Sequence, residues 1–187
     1  MRCAIFASGN GSNFQALAEA FSDDQSAIEI AFLFCDQAAG YVLERAKHLG
    51  IQSYHFTPKD FASRQAYEEA LVDLCQKEAI DYIILAGYMR IIHEPLLEAY
   101  PLRIINIHPS LLPDFPGRQG IRDAYQAGVE ETGVTIHYVD EGIDTGQIIA
   151  QEKLPILPGE SLEELETRIH RIEHQLYPQV IKELKGR

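Results

Sequence analysis

Asn106 and His108 stand two residues apart in the run Arg103-Ile104-Ile105-Asn106-Ile107-His108-Pro109-Ser110-Leu111-Leu112-Pro113. The apolar stretch is expected to form a buried strand that the prolines end abruptly, and a spacing of two on a strand sends both side chains to one face. An amide donor and a titratable imidazole then arrive together, able to donate hydrogen bonds and to move a proton. They arrive at the carboxyl end of the strand, which is where open α/β sheets bind ligands. The third residue of interest is Asp144, in a loop with Gly142 and Gly146 on either side. A carboxylate beside His108 would favour the charged imidazolium. Without that neighbour, the same pair would serve a Pro-rich turn by satisfying its backbone.

Ser8-Gly9-Asn10-Gly11-Ser12-Asn13 follows the first strand directly and enters a helix. It is not a dinucleotide fingerprint, because Phe14 stands where the third glycine belongs and no suitable acid ends the second strand. The unpaired N–H groups of Gly11, Ser12 and Asn13, with the helix dipole, suit a phosphate. A capped helix start, with Ser12 or Asn13 as N-cap, explains the same residues without a ligand. Arg64 and Arg90 are candidate carboxylate binders, since a guanidinium fork matches a carboxylate, although either also suits a solvated surface. His170 and Glu173 share a face of the last helix, and a solvent face is the simpler explanation. His48, His55 and His93 have no patterned partner and are expected at the surface, and His137 alternates on a strand as a packing residue does. No His-x-x-x-His, His-x-Glu or Cys-x-x-Cys spacing occurs, so no metal site is expected. Ser110 lacks the G-x-S-x-G context of a serine hydrolase.

These residues must be positioned by strands expected at Arg2–Ala7, Ile28–Phe34, Gln52–Phe56, Tyr82–Ala86 and Ile104–Ile107. The intervening helices are expected near Asn13–Phe21, Gly40–Leu49 and Asp60–Ala79. Such alternation implies right-handed βαβ units: a Rossmann-like, mostly parallel α/β sheet with helices on both faces. Val134–Val139 and Ile148–Leu154, joined by a glycine-bearing loop, are expected to form a hairpin, so the C-terminal part is antiparallel. Ser161-Leu162-Glu163-Glu164 is a capping box for the last helix. Its core stripe is Leu162, Leu165, Ile169, Ile172 and Leu176, and Pro178 is expected to kink or restart it.

The chain has 187 residues, 46% hydrophobic and 24% charged, the balance of one globular domain spanning residues 1–187. No apolar run is long enough to span a bilayer, and nothing at the start resembles a secretory signal. Cys3, Cys35 and Cys75 are widely spaced among apolar neighbours, which suggests reduced thiols in a cytoplasmic protein. The formal net charge of −12, with no basic stripe, argues against nucleic acid as a partner. An anionic substrate must therefore be held by local donors against the overall field.

Taken together, Asn106-x-His108-Pro-Ser-Leu-Leu-Pro and Asp140-x-x-x-Asp144-x-Gly146 resemble the folate-dependent formyltransferases. The Ser8–Asn13 loop is similar to the branch that acts on glycinamide ribonucleotide in purine biosynthesis. The resemblance runs from Met1 to about Pro178. It implies Asn106, His108 and Asp144 as the catalytic trio. It places Gly11, Ser12 and Asn13 on the phosphate of glycinamide ribonucleotide, with His170 and Glu173 around phosphate and ribose. It places Arg64 on the benzoyl-glutamate region of 10-formyltetrahydrofolate. Met89, Arg90, Ile91 and Ile92, with Asp140, Glu141, Gly142, Ile143 and Asp144, would enclose the pterin. Members often carry another residue where His170 stands, and the segment Gly117–Ile121 lacks the histidine often seen there, leaving Arg118 as a possible phosphate contact. The implied reaction is direct attack of the amine on the formyl carbon, with no metal and no covalent enzyme intermediate, in a monomer or homodimer. Sister activities are formyltetrahydrofolate deformylase and methionyl-tRNA formyltransferase, which usually carry additional domains. A non-catalytic phosphate-binding module is the alternative of a different class, and it predicts that Asn106, His108 and Asp144 do not converge.

Overall fold

A computed structural model describes residues 1–22 and 27–184. Among these, one seven-stranded sheet runs in the order β3-β2-β1-β4-β5-β6-β7. The strands are β1 (Arg2–Ala7), β2 (Glu29–Cys35), β3 (Ser53–His55), β4 (Tyr82–Leu85), β5 (Ile104–His108), β6 (Glu131–Tyr138) and β7 (Ile148–Pro155). The first five are parallel, and β6 and β7 are antiparallel additions. The helices are α1 (Ser12–Phe21), α2 (Val42–His48), α3 (Arg64–Lys77), α4 (Glu94–Ala99), α5 (Gly120–Ala127) and α6 (Leu162–Leu184).

β1 shows why both faces are covered. Cys3, Ile5 and Ala7 pack into one core with α1, α2 and α6, while Ala4 and Phe6 pack into the other with α3 and α4. Alternation on a strand buried on both sides yields a continuous apolar run, as a central parallel strand requires. The three cysteines are free and buried, and burial pushes the Cys3 and Cys75 thiols up to about 12. None of the helices described is long and apolar enough to cross a membrane.

Several boundaries differ from those expected. The helix expected from Asp60 begins at Arg64, because Ser63 caps it by accepting the Ala66 N–H at 3.0 Å. Pro58–Asp60 is a separate 3-10 turn closed by Thr57 and Asp60. α4 and α5, of six and eight residues, are too short to show as periodic runs. β6 begins at Glu131 rather than Val134 and is buried along nearly its whole length, since it lies between β5 and β7. The α6 capping box forms as expected, and the helix continues through Pro178 to Leu184. Its buried stripe is centred on Leu165, Ile169, Glu173, Tyr177 and Ile181, with Ile172 and Leu176 only partly covered. Glu173 therefore lies on the inward face.

Candidate active site

A cleft of about 770 Å³ opens where the loops after β1, β4 and β5 meet the loop between β6 and β7. On β5, Asn106 and His108 line it together, and the pairing Asn106↔His137 brings His137 beside Asn106 on the same face. β6 runs antiparallel, so its end lies beside the start of β5, where the Val139 N–H donates to Ile104 O at 2.9 Å. The 140–147 loop must therefore double back along the sheet. Asp140 closes it by accepting from the Gly142 N–H at 3.0 Å and from Thr145 Oγ1 at 2.7 Å. Gly146 lets it press on the strand: a Cβ there would stand 1.7 Å from Tyr138 O.

That return brings Asp144 to the histidines. Its Oδ2 stands 3.4 Å from His108 Nδ1 and accepts the Gly117 N–H at 2.7 Å, while Oδ1 stands 3.6 Å from His137 Nε2. Burial pushes the Asp144 carboxyl up. The approach of His137, the Gly117 N–H and the His108 ring outweigh that and hold it below the usual carboxylate range. It is thus an ionised, acceptor-only group at neutral pH. His108 is buried, and its Nε2 meets the Phe115 carbonyl at 2.8 Å. A carbonyl only accepts, so Nε2 carries hydrogen and Nδ1 faces the carboxylate. The Asn106 amide nitrogen is 3.3 Å from His137 Nε2 and 3.5 Å from Asp144 Oδ1. His137 Nδ1 is 2.8 Å from Tyr138 O, and its Nε2 faces both the Asn106 amide nitrogen and Asp144 Oδ1.

The first loop forms the other end of the cleft. Gly11 is the N-cap of α1 in the left-handed region, at φ 79°, with no side-chain cap. Ser12 and Asn13 are the first helical residues rather than caps. The Asn13 amide donates to Glu173 Oε2 at 3.1 Å, and the same oxygen lies 2.9 Å from His170 Nδ1. Glu173 is buried and His170 half-exposed. Hydrogen bonding to Glu173 raises the His170 imidazole above its ordinary value, with burial opposing it.

The formyl transferase family model matches residues 1–181. The chain belongs to the formyl transferase family. It is 48% identical over 183 residues to phosphoribosylglycinamide formyltransferase of Bacillus subtilis, spanning 98% of this chain and 94% of that one. The structure of glycinamide ribonucleotide transformylase 1 from Geobacillus kaustophilus superposes with a TM-score of 0.94 at 51% identity, over 98% of this chain and 97% of that one. Phosphoribosylglycinamide formyltransferase from Streptococcus pneumoniae gives 0.92 at 51% identity, over 98% of each chain.

In this formyl transferase, Met89, Arg90, Ile91, Ile92, Asp140, Gly142 and Ile143 also line the cleft, while Arg64 and Glu141 lie outside its lining. Met89, Ile91 and Ile143 are large apolar side chains about half exposed, an environment suited to a flat heteroaromatic ring. Arg64 Nη1 donates to His93 Nε2 at 2.7 Å. His93 is not a free surface residue, because buried Glu68 accepts from both its backbone N–H and its ring. Arg118 lines the cleft but donates to Met89 O at 3.1 Å. Ser110 is fully buried, donating to Asp114 O at 2.6 Å, so its hydroxyl braces the turn. Thr135 and Gln151 hold the same turn through Leu112 and Ser110.

Sequence reading missed His137, whose strand alternation looks like packing until the partner across the ladder is known. It also missed Asp36, which follows β2 directly as an acid at the strand end.

Proposed function

We propose that the chain transfers the formyl group of 10-formyltetrahydrofolate to the amine of glycinamide ribonucleotide, as the names of its relatives suggest for those proteins. The convergence of Asn106, His108 and Asp144 carries this reading. A non-catalytic binding module has no need of an ionised carboxylate 3.4 Å from a buried imidazole. Residues 1–187 are read as one formyltransferase domain working in the cytoplasm.

The co-substrate supplies an activated formyl carbon. The substrate amine attacks it, so that one C–N bond forms, the C–N bond to folate breaks, and a proton passes overall from the amine to the folate nitrogen. Charge develops on the formyl oxygen, and Asn106 and His108 Nε2 are the donors for it. The Phe115 carbonyl is the acceptor at Nε2 before the substrate oxygen replaces it. The two contacts of the Asn106 amide are long, so turning one N–H to a substrate oxygen costs little. Asp144 orients the His108 ring from its Nδ1 side, and His108 can then pass a proton from Nε2 toward the departing nitrogen. Gly11, Ser12 and Asn13 hold the phosphate with backbone N–H groups, and His170 and Glu173 border it and the ribose. The apolar residues Met89, Ile91, Ile92 and Ile143 cover the pterin. Arg90 and the backbone of the 140–144 loop, Glu141 included, complete that enclosure, and Arg64 reaches the benzoyl-glutamate end from outside the cleft.

The test is the absorbance change of the folate on mixing with purified protein, with and without glycinamide ribonucleotide. Amine-dependent transfer is the expected result. Turnover with water alone would replace the transferase with a hydrolase, and no turnover of either kind would restore the binding module.

A further inference from the structure

The two ends of the cleft are joined through a buried carboxylate that is not part of its lining. Asp36 is 1% exposed and follows β2 directly. The register Ala7↔Cys35 places Ser8 next to it, and Ser8 Oγ donates to Asp36 Oδ1 at 2.5 Å. Asp36 Oδ2 accepts from Gln37 Nε2 at 3.1 Å and pairs with Arg90 Nε at 2.6 Å. Ser8 Oγ in turn accepts the Met89 N–H at 2.9 Å, and the Ser8 N–H donates to Gly87 O at 3.1 Å. One carboxylate thus fixes the residue that opens the Gly11–Asn13 loop and two residues of the 89–92 wall. A buried charge held this way is costly to leave half-satisfied, so its partners stay where it puts them. Arg90 Nε stands at ion-pair distance from Asp36 without hydrogen-bond geometry, and no hydrogen bond within the described residues engages its two terminal NH2 groups. That leaves them available at the cleft.

We propose that Asp36 is a positioning residue that holds the phosphate loop and the folate wall in register, so that one side chain sets the affinity for both substrates. The proposal rests on the assignment of those two walls under the proposed function. Arg90 is aimed by Asp36 at an oxygen acceptor of the folate, and Ser8 transmits the same constraint to the loop that receives the phosphate.

Steady-state kinetics of Asp36→Ala, Asp36→Asn and Ser8→Ala test this, alongside thermal melts. Asp36→Ala is expected to raise KM for both substrates about tenfold, the scale of a lost charge-assisted hydrogen bond, with kcat changed much less. Asp36→Asn keeps an oxygen for the Ser8 hydroxyl and is expected to restore most of the glycinamide ribonucleotide KM. Ser8→Ala, which keeps the Asp36–Arg90 pair, is expected to raise both KM values by less than Asp36→Ala. Amide hydrogen exchange at Met89 should accelerate in both alanine variants. In Asp36→Ala, a drop in Tm with both KM values unchanged, a change in only one KM, or an effect confined to kcat would each overturn the positioning role. Failure of the wild-type protein to transfer a formyl group would instead overturn the proposed function. In that case unchanged Met89 exchange in Asp36→Ala would overturn the coupling as well, and accelerated exchange would support it.

Discussion

Asp144 Oδ2 lies between His108 Nδ1 at 3.4 Å and the Gly117 N–H at 2.7 Å, so one carboxylate oxygen orients the imidazole and anchors the 109–119 segment that covers it. Asp144→Asn keeps the shape and removes the charge, and formyl transfer should fall by about two orders of magnitude, the scale of one lost electrostatic contribution to a transition state. Because the Asp144 carboxyl is held below its usual range, its contribution to stability is fully present above the unfolded carboxylate range. It is lost as pH falls through the lowered value. The stability gap between wild type and Asp144→Asn should therefore be widest at neutral pH and close in acid, as urea unfolding at several pH values will report. A pH–rate profile identical in the two proteins would remove Asp144 from the mechanism.

Asn106 offers its amide nitrogen to His137 and Asp144 over long contacts, the arrangement of a donor kept ready for another acceptor. Asn106→Ala should lower kcat by about 10²–10³, or roughly 3 kcal/mol, with KM little changed, since the bond strengthens only as charge develops. A rise in KM at constant kcat would make Asn106 a ground-state contact.

Gly11 is required twice over. Its φ of 79° lies in the left-handed region, and a Cβ would stand 2.3 Å from Val42 Cγ2. Gly11→Ala should cost about 1–3 kcal/mol of stability and raise KM for glycinamide ribonucleotide, because it displaces the N–H groups proposed to hold the phosphate. Adding Val42→Ala should recover part of both losses, measured by thermal melts and kinetics. Crystals soaked in phosphate should show the anion at Gly11–Asn13.

In the proposed function His170 borders the phosphate, and Glu173 raises its imidazole above the ordinary value of 6.5. Its charged form is therefore fully present below that ordinary value and lost as pH rises through the raised one. Affinity for glycinamide ribonucleotide should weaken over that upper window by a fewfold, the scale of one partly screened charge. His170→Ala should flatten the dependence, as calorimetry across the range will show; a slope unchanged in the variant would detach His170 from the phosphate.

The sequence by itself determined the parallel half of the fold. An apolar run such as Cys3–Ala7, ended by glycines and followed by a periodic helix, has few other ways to bury itself. It determined the same-face delivery of Asn106 and His108, because the two-residue period of a strand is local geometry. It also placed a glycine loop at a helix start. Only the tertiary structure decided that Asp144 reaches His108, since that depends on β6 joining β5 antiparallel and on the 140–147 loop doubling back. The sequence alone suggests a solvent face for Glu173, whereas packing centres the buried face of α6 on it. His137 and Asp36 were invisible for the same reason: their partners, Asn106 and Ser8, are neighbours through strand pairing and lie 31 and 28 residues away in the chain. Period and propensity act over one turn or one strand, whereas the electrostatics of this cleft are set by which strand ends the sheet brings together.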